Sequence, residues 1–444
     1  MRYNEEFLKI FDYAKNKADA VEIMLSEDNS FSVKIHQQEI ESFNYADSKG
    51  ISVRVIKDNK AGYAYSEKFD EESFKMMVDE AIANSKYSQE EDKPLMDNYP
   101  DIENKPEVYN EELNNVDIND KIQMAKDIEK LGYEADKRVF NVPYALYGDS
   151  THYMRIANSK GLRKEDKRNS AFAYAVVLTE ENEDKRTGME FNVGRDFSKF
   201  SAKKLAEESV KKGIALLGGE VLETGKYAAV LNNEMMSTML DTFSGIFNAK
   251  TVQEGKSLLK GKLNEQVASA LITITDDALH PEGFATSAFD SEGYPSQKTL
   301  LIDNGRLVSY IHNTQTAAKD GVESTGNAAR GIKGTLGIST TNFCLEPGLA
   351  NPKDLFGKFD KVVEIVALQG LHSGANSISG DFSLSGEGFL YEKGVKQHSL
   401  KPFTVSGNIL QLLHDVTEVA NDFKFNTSSV GASAVLIKEL AFSG

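Results

Sequence analysis

The sequence has no tryptophan, a single cysteine and few prolines, and each shortage excludes something. The lone Cys344 cannot close an intramolecular disulfide, which points to a reducing compartment. Nine prolines spread over 444 residues, with 40% hydrophobic and 27% charged residues, are ordinary globular usage and argue against a low-complexity chain. Long apolar runs are also missing. The longest, Ala171–Leu178, has eight residues against the ~20 that a membrane-spanning helix needs, and it reads as a buried strand. Met1 to Asp19 has a polar amphipathic pattern with Glu5, Glu6, Asp12 and Lys15, without the apolar segment of a secretion signal. Basic residues are outnumbered, 51 against 68 acidic, and the net charge of −17 repels phosphate backbones and anionic lipid. The expectation is a cytoplasmic protein that binds neither nucleic acid nor membrane.

Catalytic signatures are scarce. Metal peptidase motifs place two histidines about one helical turn apart so that both imidazoles reach one ion. The seven histidines, His36, His152, His280, His312, His372, His398 and His414, come no closer than the sixteen residues between the last two. No metal site is expected. The G-x-S-x-G elbow and the G-x-G-x-x-G fingerprint are absent. Gly255-Lys256-Ser257 has the ending of a P-loop but Lys250 in place of the first glycine, and Gly326 to Gly331 is followed by Ile332. Cys344, in Asn342-Phe-Cys-Leu-Glu-Pro347, has no neighbouring base and reads as core packing.

What is present is organisation. A chain of this length exceeds the ~250–300 residues of one hydrophobic core, so several domains are expected. Ala46-Asp-Ser-Lys-Gly-Ile51 recurs 111 residues later as Ala157-Asn-Ser-Lys-Gly-Leu162. Each copy follows a helix pattern and two strand patterns, Val21–Leu25 with Phe31–Ile35 and Val139–Leu146 with Thr151–Ile156. Each precedes a helix with a good N-cap, Asp70 or Ser201. The glycine of each Ser-Lys-Gly is expected to supply a positive φ at a hairpin. Residues 1–90 and 116–221 thus read as two related repeats, joined by an acidic linker over 91–115 with Pro94, Pro100 and Pro106. From 225 to 444 the pattern is β-rich: strands at Ala228–Leu231, Ala270–Ile274 and Val362–Val366, and an Asn304-Gly305 type I′ hairpin. Helices are expected near Asn232–Asn248 and Asn408–Glu418, and a terminal strand over Ser433–Ala441. The fold class is α+β, a duplicated helix/strand N-terminal half plus a β-rich C-terminal domain with antiparallel strands.

The richest segment is Gly370 to Gly388, GLHSGANSISGDFSLSGEG, whose glycines let backbone approach a ligand closely. Three readings stand side by side: a glycine-rich hairpin connection, a peptide-contact loop using His372, Asn376, Asp381 and Ser383, or a hydrolase with His372, Asp381 and Ser383 as base, orienter and nucleophile.

The blocks Ala46–Gly50, Phe289-Asp-Ser-Glu-Gly293, Ser324-Thr-Gly-Asn327, Gly370–Gly388 and Ser406-Gly-Asn408, in this order, resemble the TldD/PmbA family across nearly the whole chain. The TldD branch carries a His-Glu-x-x-x-His zinc motif on a C-terminal-domain helix and a cysteine ligand. Those positions fall near Leu240–Gly245 and Val419 here, without ligands, so the chain is similar to the TldE (PmbA) branch. The resemblance implies a subunit of a TldD/TldE zinc metallopeptidase that degrades unfolded polypeptide or matures precursor peptides. It implies no cofactor in this chain, zinc in a TldD-like partner and a cytosolic heterodimer; a homodimer is expected when the chain is alone, and peptide contacts are expected at His372, Asn376, Asp381, Ser383 and Asn327. The alternative from another class is a stand-alone peptide-binding or chaperone-like protein.

Overall fold

The computed structural model describes residues 3–88 and 96–444. Pro94 and the expected boundary at residues 90 and 91 lie outside the described residues.

The first half contains α1 (Asn4–Ala14), β1 (Ala20–His36), β2 (Glu39–Lys57), β3 (Lys60–Ser66) and α2 (Glu71–Ser85). After the short α3 (Glu111–Asn114) follow α4 (Ile118–Ala135), β4 (Val139–Asn158), β5 (Arg163–Glu181), β6 (Asp184–Gly194) and α5 (Ala202–Ala215). All six strands form one antiparallel sheet, ordered β3-β2-β1-β4-β5-β6, in which β1 pairs with β4 from Glu22 to Ile35. Helix, three strands, helix therefore occurs twice in order, and both runs share one sheet. The pairs Val21–Leu25 with Phe31–Ile35, and Val139–Leu146 with Thr151–Ile156, are single long strands.

The helices cover one face of the sheet. Phe7, Ile10, Phe74, Met77 and Val78 pack on Ile23, Val53 and Val55. Ala125, Ile128, Leu205 and Val210 pack on Ala145, Ala173, Ala175 and Val177, where small side chains admit the helices closely. Asp70 and Ser201 cap α2 and α5, accepting from the Ser73 and Lys204 amides at 2.8 and 3.2 Å. Ala171–Leu178 alternates between buried and more open positions, so this strand is buried on one face only.

The two Ser-Lys-Gly motifs occupy different places: the expected positive φ at a hairpin holds for Gly161 and fails for Gly50. Gly161 turns between β4 and β5 with φ +106°. Gly50 lies inside β2, where a Cβ would come within 2.1 Å of the Ile332 side chain, so close packing accounts for that glycine. The β1–β2 hairpin turns instead at Gln37 and Gln38, with φ 53° and 62°. Their amides donate to the carboxylate of the buried Glu129 on α4, at 2.6 and 2.7 Å.

Residues 96–110 have no helix or strand but are tied down: Asn158 Nδ2 donates to Asp97 O at 2.7 Å, and the Asn169 amide to Val108 O at 3.2 Å.

The second half begins with β7 (Gly225–Leu231), α6 (Asn233–Phe243) and α7 (Ala249–Gln253). It continues through β8 (Ile274–Asp277), β9 (Lys298–Asp303), β10 (Arg306–Leu307), α8 (Thr314–Asp320), β11 (Ala328–Ala329), β12 (Gly337–Ile338), β13 (Phe343–Leu345) and β14 (Lys361–Gln369). Last come α9 (Leu371–Gly374), β15 (Asp381–Glu392), β16 (Val395–Ser399), β17 (Phe403–Asn408), α10 (Ile409–His414), β18 (Val416–Val419), β19 (Lys424–Phe425), β20 (Val430–Ala432) and β21 (Val435–Ser443). Strands β14-β7-β21-β17-β15 close into a barrel because β15 also pairs with β14. A second sheet, β10-β9-β8-β13-β20-β19, shares the barrel's main core, from Leu231 and Met236 to Ile302 and Phe343.

Asn304 and Gly305 make the expected two-residue turn, with φ 46° and 81°. Of Ala270–Ile274, only Ile274 is in a strand. The expectation of antiparallel pairing throughout fails at two places, since β7 pairs parallel with β14 and β13 with β20. Long excursions separate the members of each pair, which gives the chain room for the crossover that parallel strands require.

Candidate functional site

A cleft of about 1040 Å³ opens between β6 and α5 on one side and α6, β14 and β15 on the other. Its apolar wall includes Met189, Phe191, Met235, Leu368 and Phe389. Helix α6 presents Thr238, Asp241 and Thr242 to it, because residues three and four apart share a helix face.

Four alternating charges bridge the cleft's two sides. Lys212 Nζ lies 2.9 Å from Glu190 and 3.0 Å from Glu234, and Lys424 Nζ lies 3.4 and 3.2 Å from the same carboxylates. Burial alone would lower the Lys212 ammonium, but Glu234 and Glu190 outweigh it and hold it raised. Arg186 adds a link at 2.8 Å to Glu387. Deeper in, the half-buried Glu364 accepts from the Tyr391 hydroxyl at 3.0 Å, and burial pushes its carboxyl above the usual range. Lys396 Nζ sits 3.0 Å from the centre of the Phe389 ring.

The five sequence-predicted residues fall in three places. His372, exposed on α9, lines the cleft. Asn376 caps its own turn, accepting from the Ile378 and Ser379 amides at 2.9 and 3.2 Å. Asp381 opens β15 and accepts from Asn408 Nδ2 at 2.9 Å, a bond that holds its carboxyl low. Ser383 follows on the same exposed strand face. No hydrogen bond joins His372, Asp381 and Ser383 among the described residues, and the second half of Gly370–Gly388 is strand rather than loop.

Asn327 is elsewhere, buried beside a second pocket at the junction of the N-terminal sheet and the C-terminal domain. Its Nδ2 donates to Asp276 at 2.6 Å and to Ser339 O at 3.0 Å. Burial pushes the Asp276 carboxyl up to about 6, against bonds from Asn327 and from the amide and hydroxyl of Thr341. A raised folded-state value means the folded state binds the extra proton, so this group's contribution to stability grows as pH falls from above 6 to below 4. Wild type relative to Asp276→Asn is therefore expected to gain up to ~3 kcal/mol across that window in urea unfolding. A difference that stays flat with pH would refute the assignment.

Beside this pocket, Arg54 of β2 is 1% exposed, with Nη1 at 3.7 Å from Glu22 and 3.3 Å from Glu292. Arg330 Nη2 reaches Glu22 at 2.8 Å, and Thr314 donates its amide and hydroxyl to Glu292 at 3.0 and 2.7 Å. The block Phe289–Gly293 thus serves domain docking: Glu292 receives Arg54, and Asp290 accepts three backbone amides, from Glu292, Tyr294 and Ala328.

The donors on α6 do not suit zinc. Thr238 and Thr242 spend their hydroxyls on the carbonyls of Glu234 and Thr238, both at 2.8 Å, which leaves Asp241 and the lysine-paired Glu234 as the carboxylates on that face. Val419 is apolar, buried and paired with Val435. Among the described residues, no cluster of three or more His, Cys, Asp or Glu could hold a metal ion. Sequence reasoning missed Glu364, Tyr391 and Lys396. A carboxylate inside the apolar run Val362–Val366 was the one available signal for Glu364.

Family comparison matches residues 224–444 to the PmbA/TldA metallopeptidase C-terminal domain, 111–217 to its central domain and 21–85 to its domain 1. The chain is 27% identical to a metalloprotease of Methanocaldococcus jannaschii over 96% of its own length and 94% of the relative's. It is 23% identical to metalloprotease PmbA of Escherichia coli O157:H7 over 98% and 94%. A Thermotoga maritima structure described as a modulator of a DNA gyrase superposes with TM-score 0.92 at 29% identity, covering 99% of this chain and 100% of that one. TldE from Thermococcus kodakarensis shares the fold, with TM-score 0.90 at 22% identity over 99% and 100%. The chain belongs to the PmbA/TldD metallopeptidase family, on its PmbA (TldE)-like branch.

Proposed function

We propose that this chain is the TldE-like subunit of a TldD/TldE zinc metallopeptidase acting on unfolded or precursor peptides in the cytoplasm. It completes a peptide cleft and leaves zinc chemistry to a TldD-like partner. The observation that carries this reading is the cleft face of α6, which bears Asp241 and Thr242 in the Leu240–Gly245 stretch where the resemblance expects a zinc motif. Of the five predicted peptide contacts, His372 stands on the cleft lining and is assigned one. The two N-terminal runs are read as copies of one unit. Their support is a shared close approach: a Cβ on Gly62 would lie 1.9 Å from Ala81 O of α2, and one on Gly188 1.9 Å from Ser209 O of α5. A net charge of −17 argues against carrying direct DNA contact over from the relative described as a gyrase modulator.

The test is co-expression with the TldD-like protein of the same organism, with zinc content and cleavage of unstructured peptides measured for each protein alone and for the mixture. Cleavage and bound zinc are expected only when the partner is present. Chelator-sensitive cleavage by this chain alone would overturn the proposal.

One observation favours the alternative of a stand-alone peptide binder. The outer edge of β2 from Glu39 to Gly50 has no strand partner among the described residues and exposes Ile40, Phe43 and Tyr45. On that reading, the chain alone suppresses aggregation of an unfolded protein, and Phe43→Lys abolishes the effect.

A further inference from the structure

We propose that the second pocket binds a compact oxyanion, a terminal carboxylate or a phosphate, held by Arg168 with Arg195 beside it and by the hydroxyls of Ser291, Ser296 and Thr340. The pocket encloses about 300 Å³ between the open face of the sheet and the loops that carry the blocks Phe289–Gly293 and Ser324–Asn327. The peptide cleft makes no use of either block.

Two cations stand here without an ion pair among the described residues, in a chain of net charge −17. Arg168 is half-buried on the pocket wall and makes no hydrogen bond or ion pair among the described residues. Arg195 donates from Nη2 to Gly283 O at 2.7 Å, while its Nε is buried without a partner. Burial, with Arg168 nearby, pushes the Arg195 guanidinium down, so a desolvated Arg195 stands next to a second cation.

The acids close by are already engaged. Asp28, whose carboxyl His152 and, at longer range, Arg168 draw down, accepts from His152 Nδ1 at 2.6 Å and Ser26 Oγ at 2.8 Å, and Asp290 accepts its three amides. Arg330 spends its Nη atoms on Ser52 and Glu22.

The hydroxyls divide the same way. Ser287, Ser339 and Thr341 donate within the protein, to Phe289 O, Thr340 O and Asp276. Ser291 Oγ accepts the Arg330 amide and so keeps its proton free to donate. Ser296 and Thr340 have no hydroxyl partner among the described residues. Unpaired guanidinium with three free hydroxyl donors is a set that suits negative oxygen.

The test is calorimetric titration of the full chain, at low salt, with inorganic phosphate, N-acetylglycine and N-acetylglycinamide, repeated on Arg168→Gln and Thr340→Val. Saturable binding that Arg168→Gln weakens at least tenfold is expected, and Thr340→Val serves the same purpose should Arg168→Gln not fold. Stronger binding of phosphate identifies a phosphate ligand. Binding of N-acetylglycine but not its amide identifies a terminal carboxylate, such as a peptide's end. No saturable binding of either anion, or binding indifferent to both substitutions, overturns the proposal. Because the readout needs no partner and no cleavage, it fails or succeeds separately from the subunit reading.

Discussion

Arg54→Met is expected to destabilise the protein by ~3–5 kcal/mol, the cost of leaving a buried charge without its partner. Arg54 stands between Glu22 and Glu292, all three almost fully buried, at the seam where β1 and β2 meet the C-terminal domain. Burial already raises the Glu292 carboxyl, and Arg54 is the main group that draws it back. Removing the guanidinium raises it further, so the variant's folded state takes up protons that its unfolded state does not. The sign follows: the variant's deficit is largest at high pH and shrinks as pH falls toward 5. Urea unfolding of both proteins at pH 8 and pH 5 reads this directly. Adding Glu292→Gln to the variant should restore part of the loss at pH 8. A deficit below ~1 kcal/mol at pH 8 would reduce the cluster to the rank of an ordinary surface ion pair.

Gly188→Ala and Gly62→Ala are each expected to cost ~1–3 kcal/mol or more, because the new methyl meets helix backbone rather than a movable side chain. On Gly188 the nearest atoms are Ser209 O at 1.9 Å and Gly213 N at 2.5 Å, so β6 must lift from α5. The consequence reaches the cleft, whose wall includes Thr187, Met189 and Lys212. Gly188→Ala should therefore lower both the thermal midpoint and peptide cleavage by the assembled pair, whereas Gly62→Ala, at the far edge of the sheet, should lower the midpoint alone. Gly245→Ala, with nothing within 4 Å of the added carbon, is the control and should be close to neutral apart from helix propensity. Equal midpoints for all three variants would show that the strands yield without cost.

Much of the local structure was legible in the residues. Asp70 and Ser201 announced helix starts because their side chains satisfy the amides that a first turn leaves orphaned. Asn304-Gly305 announced its turn because both positions need positive φ. Ser48-Lys49-Gly50 misled for the complementary reason. A glycine records either backbone freedom or close packing, and at Gly50 the packing partner, Ile332, is remote in sequence. The β1–β2 turn was hidden because Gln37 and Gln38 hold positive φ under two bonds from a carboxylate on α4, which no local pattern contains. At the candidate site, His372 reached the cleft, while Glu364, Tyr391 and Lys396 were invisible among strand residues.

By itself, the sequence determined composition and charge, the helix and strand segments that local propensity and capping dictate, the family, and the lack of histidine spacing for zinc on α6. Only the tertiary structure decided that both N-terminal runs share one sheet, that β14 closes a barrel with β7 and β15, and that Lys212, Lys424, Glu190 and Glu234 join across a cleft. The physical reason is range. Caps and turns are settled by bonds within a few residues, whereas strand partners and buried charge pairs are settled by burial that residues distant in sequence must share.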